Sequence, residues 1–231
     1  RDGALGWGEA APLALDDGLA NQLTRLAAAV AAVEPELPRR HLESLIAAHQ
    51  GLPSLAFALG AALAELDGLV GASAGAWLPA PPAAHLVHAD ADERHWLEAL
   101  LQRLPSGGQL RLDANGGWDR GTAELWAQRL ATEPRLQWLE QPLPPDDQAG
   151  LAALAARLPV ALDESLTAHP ALRQRWPGWQ VRRPSQDGDP RPLLADLLAR
   201  RPRLMLSTAF ETGIGGRWLH HLAGLQAQGP T

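Results

Sequence analysis

Residues Arg111–Arg120 read RLDANGGWDR, a short apolar run that ends in Asp113 and Asn115 just ahead of a Gly pair. A turn there requires only Asn-Gly. The carboxylate gains meaning because later runs end in the same way. LQWLEQP carries Glu140, PVALDES carries Asp163 and Glu164, WQVRRPS carries Arg183 and Ser185, and RLMLSTAFETG carries Ser207, Thr208 and Glu211. Helical patterns separate these runs, over 91–104, 122–131, 146–158 and 192–200. Short apolar strands alternating with helices predict a parallel sheet covered by helices. A doubly wound sheet gathers its chemistry at one switch point, usually beside a Gly-rich phosphate loop. No GxGxxG or Walker-type motif follows an early strand. Polar residues at the carboxyl end of every strand favour a (β/α)8 barrel, whose active sites lie at that face.

The segment before this pattern has a different rhythm. RDGALGWGEAAPL (Arg1–Leu13) alternates small and apolar residues and predicts a strand. Three helical patterns follow, over 19–33, 38–51 and 53–71. A Pro-rich break at Leu78–Pro82 separates the two halves. The expected organisation is an α/β protein with an α+β capping domain over residues 1–77 and a modified barrel domain over 78–231, each partial. The interval from Leu78 to Asp113 is too short for two barrel strands, a helix and their loops, so a longer enzyme is expected.

Composition narrows the function. The 231 residues have a formal charge of −6, against a broad basic nucleic-acid surface. There is no Cys, which removes disulfides, thiolate nucleophiles and thiolate metal sites, and fits a reducing, cytoplasmic compartment. No apolar run approaches the roughly 18 residues of a membrane span. All 20 basic residues are Arg.

Three carboxylates at three successive strand ends repel one another unless a cation joins them. Asp113, Glu140 and Asp163 offer only oxygen donors, which suits a hard divalent ion such as Mg2+. Their intervals, 27 and 23 residues, each accommodate a helix, a strand and loops.

RLDANGGW, WLEQPLP, ALDES and STAFETGIG, in that order, resemble the enolase superfamily, and within it a dehydratase branch of quinone biosynthesis. GWGEAAPL and PSLAFALGAALAEL resemble its capping domain. The resemblance implies that Asp113, Glu140 and Asp163 ligate Mg2+, and that Asn115 and Glu164 line the site. Ser207 and Thr208 are expected near the carboxylate or succinyl arm of a small-molecule carboxylate substrate. The implied reaction is a syn-dehydration: a base removes the proton α to a carboxylate, the metal stabilises the charge that develops, and hydroxide leaves. The superfamily supplies lysines on the second and sixth barrel strands. The sixth-strand position matches Arg183, which stays protonated near neutral pH and serves as a cation rather than a base. The second-strand lysines have no counterpart in AHLVHAD (Ala84–Asp90), where His88 is a stand-in candidate. Two other readings stand beside this one: a superfamily racemase or epimerase, and a non-catalytic homologue that binds metal or anions.

Plainer roles exist for the same residues. Asp113 and Glu140 serve as turn or loop acids, Asp163 and Ser165 as helix caps, and Arg183 as a surface ion-pair group. Ser207, Thr208 and Thr212 beside Gly213 and Gly215 offer an anion site at a helix start, or ordinary capping. His220 and His221 are adjacent on a helix and form a poor chelating pair.

Overall fold

The computed structural model describes residues 5–13, 18–33, 37–71, 74–84 and 93–226. His88 therefore lies outside the described residues. The elements run in chain order α1 (Gly18–Ala31), α2 (Arg39–Ala48), α3 (Pro53–Leu66), α4 (Glu93–Arg103), β1 (Leu110–Asp113), α5 (Arg120–Leu130), β2 (Leu136–Glu140) and α6 (Gln148–Ala155). They continue as β3 (Val160–Leu162), α7 (Glu164–Ala168), α8 (Leu172–Arg175), β4 (Trp179–Arg182), α9 (Pro184–Asp187), α10 (Arg191–Leu198), β5 (Leu204–Leu206) and α11 (Gly213–Gly224). By compactness the chain divides into two units, Ala83–Val181 and a second formed by Arg1–Pro82 with Arg182–Thr231.

In the first of these units β1, β2, β3 and β4 pair in parallel, each beside its neighbour in sequence. Leu139, Val160 and Leu162 pack with Leu130 and Trp126 of α5 and with Leu151 and Leu154 of α6, all buried. This is the helix-covered face of the sheet, and it explains the near-continuous apolar runs. Two helices start at carboxylate caps: Asp119 accepts the Thr122 N–H at 2.7 Å, and Asp147 the Gly150 N–H at 2.9 Å. The helix expected over 146–158 accordingly begins just after Asp147.

In the unit that holds both termini, the core joins Phe57, Ala61 and Ala64 of α3 to Leu193, Leu194 and Leu197 of α10 and to Trp218 and Leu222 of α11. The strand expected over Arg1–Leu13 is corrected here: residues 5–13 carry no strand assignment. Their polar groups go to side chains instead. The Leu13 N–H donates to Gln186 Oε1 at 3.2 Å, and Gln186 Nε2 donates to Ala11 O at 2.6 Å. Gly6 and Gly8 lie so close to α3 that a Cβ on either would overlap the carbonyl of Ala62 or Ala58. No described strand lies beside this segment to complete a ladder. Of the α+β cap expected over 1–77, the described residues show helices and this extended segment.

Candidate active site

Parallel pairing sets which side chains share a face. Asp113 is the register partner of Glu140, and Glu140 of Ala161. Partners in register point the same way, and so do residues two apart along a strand. Asp113 and Glu140 thus share the face opposite the helix-packed one, and Asp163 follows directly after β3, at the start of α7. Asp113 is exposed, while Glu140 and Asp163 are buried.

The loops around them are tightly built. Asp113 Oδ1 accepts the Asn115 N–H at 2.9 Å, which uses the strand-end Asn as a turn former. Asn115 itself has φ 48° and Gly116 φ 68°, so the turn passes through left-handed backbone that Asn and Gly accept most readily. Asn115 therefore shapes the Asp113 loop. Glu140 Oε2 accepts from Trp138 Nε1 at 3.1 Å. The Arg111 guanidinium lies 4.4 Å from the Trp138 ring centre, and Trp138 stacks obliquely on Trp179 at 4.8 Å. Burial holds the Arg111 guanidinium below its usual range, and the Glu140 charge opposes that shift.

The capping role considered for Asp163 is decided by its geometry. Asp163 occupies the N-cap position of α7 but makes no side-chain cap hydrogen bond. Asp119 and Asp147, in the same position on α5 and α6, both do. Ser165, the other capping candidate, instead accepts a hydrogen bond from Gln141 Nε2 at 2.7 Å. Glu164, expected to line the site, opens α7 and is partly buried.

An all-carboxylate set at these strand ends fits a hard divalent cation by donor type. Among the described residues no three His, Cys, Asp or Glu side chains come together as a group that could hold a metal ion, so the set fits by donor type and not by closeness.

Arg183, Ser207 and Thr208 lie in the unit that holds the termini. Arg183 Nη1 donates to Thr208 O at 2.9 Å, and the Ser207 N–H donates to Arg182 O at 2.9 Å. Arg183 thereby comes together with the Ser207–Thr208 segment. The Thr208 hydroxyl donates to Glu211 Oε2 at 2.7 Å, and Ser185 Oγ donates to Glu211 Oε1 at 2.6 Å. Neighbouring Arg182 forms a buried ion pair with Asp187 at 2.5 Å.

An anion does sit at the start of α11, and the chain supplies it. Glu9 accepts the Thr212 N–H at 2.7 Å, the Thr212 hydroxyl at 2.8 Å and the Gly215 N–H at 2.8 Å. Burial raises the Glu9 carboxyl, but these hydrogen bonds outweigh it and hold the group below the usual carboxylate range. On the same helix His220 lines a groove of about 560 Å3 with Trp77, Thr212 and Arg217. His221 is buried, its Nδ1 accepting the Leu78 N–H at 3.1 Å, so the two histidines do diverge.

Sequence reading alone passed over Gln141, Trp138, Arg111 and Glu9. For Gln141 a signal existed: an amide between a candidate ligand and a Pro at a strand end. For Glu9 no local pattern could point to partners some two hundred residues away.

The parallel strands, their helix cover and the carboxylate face define a class. Residues 83–175 match the family described as Enolase C-terminal domain-like. The fold is α/β, with the parallel, helix-covered sheet of a (β/α)8 barrel fragment. Among particular proteins, it is 40% identical over 143 residues to o-succinylbenzoate synthase of Thermosynechococcus vestitus, a match covering 57% of this chain and 44% of that protein. A hydrophobic dipeptide epimerase of a Flavobacteria bacterium is 38% identical over 78 residues, 33% of this chain and 22% of that one. The chain thus spans less than two thirds of these curated relatives. The crystal structure of o-succinylbenzoate synthase from Thermosynechococcus elongatus BP-1, complexed with Mg in the active site, superposes with a TM-score of 0.74 at 29% identity, covering 98% of this chain and 80% of that one. The L-Ala-D/L-Glu epimerase of Bacillus subtilis shares the fold, with a TM-score of 0.72 at 20% identity over 97% of this chain and 77% of that one.

Proposed function

We propose that this chain is part of an o-succinylbenzoate synthase, a metal-dependent carbon–oxygen lyase. The reaction is the syn-dehydration of 2-succinyl-6-hydroxy-2,4-cyclohexadiene-1-carboxylate to o-succinylbenzoate, on the route to menaquinone or phylloquinone. The reading is carried by the register of Asp113 with Glu140 at adjacent strand ends, with Asp163 directly after β3. The identity to a synthase over 143 residues supports it.

In this reading residues 1–77 are the cap and 78–231 the barrel. Asp113, Glu140 and Asp163 hold Mg2+, with Asn115 and Glu164 beside them. The metal supplies Lewis-acid stabilisation for charge that develops on the substrate carboxylate. Arg183 supplies a fixed positive charge, held in place by its bond to Thr208 O. Ser207 and Thr208 border the substrate arm. The 231 residues contain no Lys, and the proposal assigns no base among them. The reaction removes one proton and one hydroxide, which leave together as water, and the ring becomes aromatic.

A racemase or epimerase requires a base on each face of the substrate carbon. Arg183 is a poor base, which ranks that reading lower. The partner is a small carboxylate; no described helix is long and apolar enough to cross a membrane. A cytoplasmic location is part of the proposal.

The test is ultraviolet detection of the aromatic product from the cyclohexadiene carboxylate by the full-length protein, with Mg2+ and with EDTA. Turnover that EDTA abolishes and Mg2+ restores is expected. Absence of turnover in metal-loaded protein overturns the lyase reading, and racemisation of N-succinyl amino acids by the same protein replaces it.

A further inference from the structure

Gln141 follows Glu140 directly and is fully buried, with φ 35°. Left-handed backbone at a non-Gly residue persists only where its surroundings hold it. Here they do. The Gln141 N–H donates to Ala161 O at 2.9 Å, and its carbonyl accepts the Gly116 N–H at 2.7 Å. The side-chain amide is completely used. Nε2 donates to Leu143 O at 2.9 Å and to Ser165 Oγ at 2.7 Å, and Oε1 accepts the N–H groups of Asp163 and Ser165, each at 3.1 Å.

These bonds connect the ends of all three carboxylate-bearing strands. Gly116 belongs to the Asp113 loop, Ala161 and Asp163 to the end of β3, and Glu140 is the preceding residue. A buried side chain needed only to fill space is apolar; a buried amide is tolerated where every donor and acceptor is met. In Gln141 that capacity goes to Leu143 O, the Ser165 hydroxyl and the N–H groups of Asp163 and Ser165, so it ties the end of β2 to the start of α7.

We propose that Gln141 is a positioning residue for the metal site, setting the spacing of Glu140 and Asp163 and of the Asp113 loop against them. The inference rests on the metal-binding reading given above. Its test is titration of the protein with Mn2+, followed by electron paramagnetic resonance, for the wild type and for Gln141→Met, Ser165→Ala and Asp163→Asn. Partners that orient metal ligands typically change affinity by about 10–100-fold. Gln141→Met is expected to weaken Mn2+ binding at least about tenfold and to alter the spectrum of the bound ion. Ser165→Ala removes one partner of the amide and is expected to shift affinity in the same direction by less. If Gln141→Met fails to fold, Ser165→Ala carries the test. Folded variants with lower melting temperatures but unchanged Mn2+ affinity and spectrum overturn the inference and leave the metal site standing. A wild type that binds no Mn2+, or Asp163→Asn that binds as the wild type does, overturns the metal reading, and the inference falls with it.

Discussion

Asp163 begins α7 without capping it, whereas Asp119 and Asp147 cap the helices they precede. Under the proposed metal-binding role, Asp163 serves chemistry where Asp119 and Asp147 serve helix stability. Asp163→Asn is expected to lower turnover by at least about 100-fold while leaving the melting temperature within a few degrees, because no cap hydrogen bond is lost; steady-state kinetics beside thermal denaturation check this. Asp113, Glu140 and Asp163 stand out in the sequence as candidates because each ends an apolar run, and strand ends are where barrel chemistry gathers. Gln141 and Glu9 do not, because their roles arise from contacts distant in the chain: Gln141 with Ser165, Glu9 with Thr212. The Glu9 carboxyl is held below the usual range, so its contribution to stability is present above the ordinary carboxylate pKa and is lost as pH falls through the depressed value. Glu9→Gln is therefore expected to melt below the wild type at neutral pH, with the gap closing in acid. Melting curves across pH test it, and a gap that persists unchanged in acid contradicts it.

At the scale of elements, apolar runs and helical periodicity located β1–β5 and α4, α5, α6 and α10 to within a few residues, while the short α7, α8 and α9 were not anticipated. The N-terminal strand failed because alternation of small and apolar residues also suits a segment lying against a helix, which Gly6 and Gly8 permit. The β4–α9 junction carries a strong expectation. Arg182 and Asp187 pair with side chains only 7% and 8% exposed. Removing one partner of a buried pair leaves a charge uncompensated and costs about 3–5 kcal/mol. Asp187→Ala is expected to destabilise on that scale in denaturant melts, and the double replacement Arg182→Met with Asp187→Leu much less. The cap of α6 titrates elsewhere. Arg120 and the Gly150 N–H lower the Asp147 carboxyl to about 2, so its bonds persist until strongly acid pH. Nuclear magnetic resonance titration of that carboxyl checks the value.

For the whole molecule, the alternation of strand and helix indicated the fold class, and residues 83–175, which hold three of the four motifs, match the family described as Enolase C-terminal domain-like. Charge balance and the absence of Cys excluded classes of function without selecting one. What composition could not supply was the arrangement of ligands, which depends on strand register: one residue of slip in β2 would turn Glu140 to the helix-packed face. The central claim is that Asp113, Glu140 and Asp163 share one divalent ion. The direct measurement is a crystal structure of the protein grown with Mn2+, read for anomalous scattering. The account predicts one strong peak bounded by these three carboxylates, lost in Asp163→Asn crystals. A peak elsewhere, or none at this face with Mn2+ bound in solution, contradicts it.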